Sequence, residues 1–263
     1  MSRDSIQYKT DAEIELQRES SLLVGKTLAE VAKILKPGVS TKALDQLAET
    51  FIRDNGALPG FKGYGGFPAT LCISINDEVV HGIPGDRIVE DGDIVSIDCG
   101  TIKHGFYGDS AYTFPVGNVK EEVLLLLERT KQSLYLAIEQ AVVGKRVGDI
   151  GYAVQNYCEQ FGYGIVRDLV GHGVGKNLHE KPEVPNFGRR GTGPKLKEGM
   201  AIAIEPMVTL GDYAISQDSD GWTIRTIDGL PAAHYEHDVA IRKGKADILS
   251  SFDYIEEVLN KQQ

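Results

Sequence analysis

Apolar side chains recur at helical spacing in four stretches of the chain, and each stretch carries its own stop signal. Thr10-Asp-Ala-Glu13 has the spacing of a capping box, which predicts a helix with Val24, Leu28, Val31, Ala32 and Leu35 on its inner face and Pro37-Gly38 at its end. Leu44, Leu47, Ala48, Phe51 and Ile52 line a second helix that stops at Asn55-Gly56. A long helix is predicted from Val119 to Val143, closed by Gly144; Ile150, Ala153, Val154, Tyr157 and Phe161 predict a fourth, closed by Gly162. Between the pairs the period changes. Ile94, Val95 and Ile97 leave Ser96 as nearly the only polar side chain of a strand ending at Asp98, and a short glycine-containing turn leads to a second run carrying Asp109.

The second helix pair echoes the first. Gly38, Leu44, Ala48, Phe51 and Gly56 become Gly144, Ile150, Val154, Tyr157 and Gly162 under a shift of 106, and Glu90-Asp-Gly92 through Ile97-Asp98 overlays Lys197-Glu-Gly199 through Ile204-Glu205 under a shift of 107. More loosely, Tyr107-Gly-Asp109 is echoed by Tyr235-Glu236 ahead of Val239, Ala240 and Ile241. Helix and strand spacings constrain any such comparison, so chance similarity is the competing account; one shift serving five positions favours duplication. The expectation is an α+β fold, a single domain over 1–263 with internal halves at about 10–117 and 118–245.

Each half then contributes two carboxylates, Asp98 and Asp109 from the first, Glu205 and Glu236 from the second. Taken alone, an aspartate beside glycine is most simply a turn cap. Four carboxylates converging between two halves need counter-charge: a shared proton relieves one pair, whereas two divalent cations match the whole set better. Three histidines lie in glycine-flanked or similarly distinctive contexts, His81-Gly-Ile-Pro, Gly171-His172-Gly173 and Asn177-Leu-His179-Glu180, and add imidazole donors; His104, His234 and His237 have no comparable setting. Oxygen ligands with one or two imidazoles suit manganese, iron, cobalt or zinc better than magnesium.

Composition narrows the class. A formal charge of -10 over 263 residues disfavours bulk nucleic acid or an anionic membrane as partner. Cys72, Cys99 and Cys158 are odd in number and never spaced Cys-x-x-Cys, which excludes a thiolate zinc cluster and suits a reducing compartment. Met1 to Ser21 lacks an apolar signal core and no stretch approaches a membrane span, so the cytoplasm is expected.

Five elements in order carry a resemblance: Cys72-Ile-Ser-Ile-Asn76 with His81-Gly-Ile-Pro84, the Asp98/Asp109 pair, Gly171-His172-Gly-Val-Gly-Lys-Asn-Leu-His179-Glu, Ile204-Glu205-Pro206 and Tyr235-Glu236-His237. Together they resemble the methionine aminopeptidases of type I over nearly the whole chain. The resemblance implies the pita-bread fold, two related α/β halves around a dinuclear site. It implies that His172 and Glu205 bind one divalent ion, Asp98 the other, and Asp109 and Glu236 bridge them, with Glu205 also shuttling the proton. It implies that His179 bonds the substrate carbonyl, that His81 contacts the next amide, and that Tyr64, Phe67, Cys72 and Trp222 form the methionine pocket. Phe61 stands where many relatives carry a small residue, and Leu178 replaces an aromatic. The implied substrates are nascent polypeptide N-termini with a small second residue, the chain's own Met1-Ser2 included, and the implied enzyme is a cytoplasmic monomer without membrane or specific nucleic-acid recognition. Arg189, Arg190, Lys195 and Lys197 read either as a solvated loop or as a ribosome contact.

Rival readings are a prolidase or aminopeptidase P, which usually carry a large N-terminal domain that a first helix near Thr10 leaves no room for, and a type II enzyme, whose helical insertion does not fit 31 positions between Glu205 and Glu236. A pita-bread protein that has lost its metals, and binds nucleic acid or protein instead, would not be expected to keep all five ligands.

Overall fold

Capping chemistry sets the helices in the computed structural model, which describes residues 5–262; the Met1-Ser2 terminus lies outside the described residues. α1 (Asp11–Ile34) starts where Thr10 Oγ1 accepts from the Glu13 amide while the Glu13 carboxylate accepts from the Thr10 amide, the expected capping box. α2 (Thr41–Asp54) is capped by the Ser40 hydroxyl. α3 is Glu121–Ile138, shorter than the expected Val119–Val143. The helix stops early because the backbone beyond it is recruited elsewhere: the Val143 amide donates to Arg242 O at 3.0 Å and the Gly144 amide to Leu196 O at 3.2 Å. α4 (Val147–Cys158) runs into a single 3-10 turn that Gly162 closes, and α5 (Asp253–Gln262) ends the described chain.

The glycines matched by the two shifts share one backbone state. Gly38 and Gly144 have φ of 93° and 98°, Gly56 and Gly162 70° and 78°, and Gly92 and Gly199 94° and 86°, all in the left-handed region where a Cβ is strained.

β1 (Leu58–Pro59), β2 (Leu71–Ile75) and β3 (Glu78–Val80) precede the long hairpin of β4 (Ile94–Lys103) and β5 (Phe106–Pro115). β1 and β2 pair with one edge of β4 and β5 with the other, all antiparallel. After α4 come β6 (Gly164–Ile165), β7 (Gly171–Gly173), β8 (Glu180–Val184), β9 (Ala201–Ile204) and β10 (Met207–Thr209), then β11 (Ile215–Gln217), β12 (Ile224–Thr226), β13 (Ala232–His234), β14 (His237–Ala240) and β15 (Asp247–Ile248). Five of them form a sheet in the order β15-β14-β9-β7-β8; β13-β10-β6 and β11-β12-β3 make two small sheets.

The helices cover these sheets through one continuous apolar cluster that includes Val24 and Leu28 of α1, Leu44 of α2, Leu126 and Leu134 of α3, Ile150 of α4 and Ile97 of β4. Hydrogen bonds stitch β5 to the β13–β14 segment: Thr113 Oγ1 donates to His234 O at 2.8 Å and accepts from the His234 amide at 2.9 Å, and the Glu236 amide donates to Ala111 O at 3.0 Å. That seam brings Asp109 beside Glu236. Among the described residues no helix is long and apolar enough to cross a membrane.

Candidate metal centre

Register explains why two aspartates eleven residues apart face the same cavity. Asp98 pairs with Ala111 and Asp109 with Gly100, so the two are diagonal neighbours on one face of the β4–β5 hairpin. His172 comes from the middle of β7, Glu205 from the residue after β9, and Glu236 from the link between β13 and β14. Asp109, His172 and Glu236 each offer a ligand atom within 4.8 Å of the others, and His172 Nε2 stands 3.6 Å from Glu205 Oε1 and 3.9 Å from Asp109 Oδ2. The other imidazole nitrogen, Nδ1, lies 3.0 Å from Gly173 O; donating its proton there leaves the Nε2 lone pair aimed at the carboxylates.

Electrostatics single this cluster out. Burial pushes Asp98 up to about 7, against the pull of His234, and Glu205 up to about 8. Burial, and then the neighbouring carboxylates, raise Asp109 and Glu236 well above the usual range. Burial drives His172 down to about 3 and His81 to about 4. Asp98 Oδ1, Asp109 Oδ1 and Glu236 Oε1 are buried and have no hydrogen-bond partner among the described residues. Buried carboxylate oxygens without a donor are costly unless a cation meets them, and the donor set of oxygens with one imidazole fits a divalent transition metal.

All twelve residues expected from the sequence line one cavity of about 370 Å³. Phe61, Phe67, Cys72 and Leu178 form a buried apolar cluster with Trp222 against it, the Phe67 and Trp222 rings meeting edge to face at 5.1 Å. Phe61 fits because β4 has glycine opposite it: a Cβ on Gly100 would fall 2.4 Å from the Phe61 ring. His179, just before β8, lies with its ring 4.4 Å from that of His172, and its Nδ1 is 2.8 Å from the Tyr64 hydroxyl. His81 follows β3 with φ of 61°, an uncommon conformation for a residue with a Cβ. Gly82 allows it, since a Cβ there would sit 2.1 Å from Ile73 O.

Two residues of the centre escape a reading based on glycine neighbours. His234, 1% exposed, places Nε2 3.6 Å from Glu205 Oε2. Asp238, fully buried, accepts from the Asp109 amide at 2.8 Å and from Ser21 Oγ at 2.7 Å, fixing the backbone that carries Asp109. The available signal was alternation: 234, 236 and 238 are spaced by two along a nearly extended segment.

Comparison with known proteins gives the chain its relatives. The model of metallopeptidase family M24 matches residues 15–243. The chain is 53% identical over 243 residues to the methionine aminopeptidase of Clostridium acetobutylicum, covering 92% of this chain and 97% of that one. It is 48% identical over 242 residues to methionine aminopeptidase 1 of Bacillus subtilis, covering 92% and 98%. The crystal structure of methionine aminopeptidase from Rickettsia prowazekii superposes with a TM-score of 0.92 at 39% identity, covering 94% of this chain and all of that one.

Proposed function

The chain belongs to metallopeptidase family M24, with the pita-bread fold and the methionine aminopeptidases as its relatives, and from that premise we propose that it removes N-terminal methionine from polypeptides whose second residue is small. The observation that supports this most is the juxtaposition, in one cavity, of carboxylates with unpartnered buried oxygens and an apolar wall of Phe61, Phe67, Cys72, Leu178 and Trp222.

Asp98, Asp109, His172, Glu205 and Glu236 would hold two divalent ions, Asp109 and Glu236 shared between them, with manganese, iron, cobalt and zinc all suited to the donors. When bound, such ions supply counter-charge to the carboxylates and the Lewis acidity that makes a water nucleophilic near neutral pH. The chain's own residues do the rest. Phe61, Tyr64, Phe67, Cys72, Leu178 and Trp222 enclose the methionine side chain, whose burial contributes on the order of 1.5–3 kcal/mol, and a thioether against the rings adds roughly 0.3–1.5 kcal/mol. The Tyr64 hydroxyl, 2.8 Å from His179 Nδ1, can donate to it and so keep the proton of His179 on Nε2, ready to donate to the scissile carbonyl as it gains negative charge. Glu205 takes up and returns the proton of the attacking water. His81 contacts the amide beyond the scissile bond.

Crowding between His81, His179 and the pocket rim sets the second-residue preference, because bulk there displaces the carbonyl, and about 1 Å of displacement can cost on the order of a hundredfold in rate. Met-Ala-Ser is therefore cleaved far faster than Met-Leu-Ser, chiefly through kcat; comparable kcat/KM for the two peptides would refute the preference. The same reading places the chain as one peptidase domain acting on nascent N-termini, with Arg189, Arg190, Lys195 and Lys197 as a ribosome contact that charge neutralisation should weaken.

A further inference from the structure

Glu205 stands between two imidazoles, its Oε1 3.6 Å from His172 Nε2 and its Oε2 3.6 Å from His234 Nε2. The first belongs to the ligand set already described; the second has no role there. The His234 backbone is fixed, its amide and carbonyl both tied to Thr113 Oγ1, and its Nε2 is buried with no hydrogen-bond partner among the described residues. A buried donor without an acceptor is rare enough to demand one nearby. Asp98 and His81 are the other titratable groups that act on it. A carboxylate only accepts, so wherever Glu205 is ionised the imidazole beside it must donate.

We propose that His234 is a positioning residue for Glu205, its Nε2–H donating to Oε2 so that Oε1 stays on the His172 side. The assignment rests on the reading of Glu205 as metal ligand and proton carrier. The present 3.6 Å is beyond hydrogen-bond range, and a small side-chain adjustment closes it. Glu205 is thereby held in one orientation, which serves both the ion it shares with His172 and the direction in which it passes its proton. Partners of this kind, which act on a ligand rather than on the metal, typically change metal affinity or activity ten- to hundredfold when removed.

The test titrates Co²⁺ into metal-stripped His234→Gln, His234→Asn and His234→Leu by calorimetry, alongside kinetics on Met-Ala-Ser. Gln offers an N–H with reach close to that of Nε2, Asn offers one that falls short, and Leu offers none. Gln is expected to bind within about threefold of wild type, whereas Asn and Leu bind one ion ten- to hundredfold more weakly and lose a similar factor in kcat with KM unchanged. Should Leu fail to fold, the Gln and Asn pair still decides. A packing role alone would make Gln and Asn alike and move only the thermal stability of the metal-free protein, which overturns the proposal. So would a deficit in Leu that persists undiminished in a Glu205→Gln background. Absence of metal binding by the wild-type protein would overturn the metal centre itself, and this assignment with it.

Discussion

Stripping divalent metal from the protein should make its stability fall as pH rises from about 6.5 to about 8, the reverse of ordinary acid denaturation. Without metal, burial holds Asp98 at about 7 against an ordinary 3.8 and Glu205 at about 8 against 4.5, with Asp109 and Glu236 also well above their ordinary range. Burial lowers His172 to about 3 and His81 to about 4 against an ordinary 6.5, an opposite contribution that is complete by about pH 6.5. An acid whose folded-state pKa exceeds its unfolded value keeps a proton in the fold that the unfolded chain has released. Its contribution therefore turns unfavourable as pH climbs through the ordinary carboxylate range, and levels off above the raised value. For Asp98 the gap is about three pH units, which at about 1.4 kcal/mol each comes to about 4 kcal/mol by pH 8. Divalent ions held by the ionised carboxylates would remove this penalty. Loading metal at pH 6 must also expel protons, about two from Asp98 and Glu205 together, since groups titrating near 7 and 8 are then mostly protonated. Urea unfolding at pH 5, 6.5 and 8 with and without chelator measures the first effect; calorimetry in two buffers of different ionisation enthalpy measures the second. Metal-free stability that stays flat or rises from pH 6.5 to 8, or release of less than about half a proton per chain, would refute the reasoning.

Asp109→Ala and Glu236→Ala should each abolish peptide hydrolysis, by about a thousandfold or more, because on the proposed reading the lost carboxylate would leave two cations unshielded; near-wild-type kcat in either sinks the dinuclear reading. Tyr64→Phe should cut kcat about tenfold with metal affinity intact, and the ¹⁵N shifts of His179 should report a mixed tautomer; an unchanged tautomer would detach Tyr64 from His179. Gly100→Ala drives a Cβ into the Phe61 ring, which should cost about 1–3 kcal/mol in denaturant stability and raise KM for methionyl peptides. A variant with Arg189, Arg190, Lys195 and Lys197 neutralised should co-sediment less with ribosomes at low salt; equal sedimentation across salt concentrations would leave that stretch a solvated loop.

What the sequence made legible was what local chemistry decides. Thr10 and Glu13 cap a helix wherever they stand in that spacing, and Gly38, Gly56, Gly144 and Gly162 mark left-handed stops whose strain any other residue would feel. Asp98 and Asp109 were legible because strand alternation with a short turn leaves few registers. What tertiary partners decide was hidden. The end of α3 depends on Arg242 and Leu196, roughly 100 and roughly 50 residues further along in sequence, and strands of three residues such as β3 and β13 carry too little pattern to announce themselves. His234 was passed over because histidines were weighed by their glycine neighbours. Its position two residues before Glu236 on an extended segment placed it on the same face, and only the seam through Thr113 shows that this face is the centre.

The most direct test of the account is to measure tightly bound metal and product release together, on the purified protein, with Met-Ala-Ser and Ala-Pro-Ala as substrates. Two divalent ions per chain, free methionine from the first peptide, loss of that release with chelator and its return with metal, and no cleavage of the second are the predicted results. Methionine release that persists without metal, or cleavage of Ala-Pro-Ala at a rate matching Met-Ala-Ser, would contradict it.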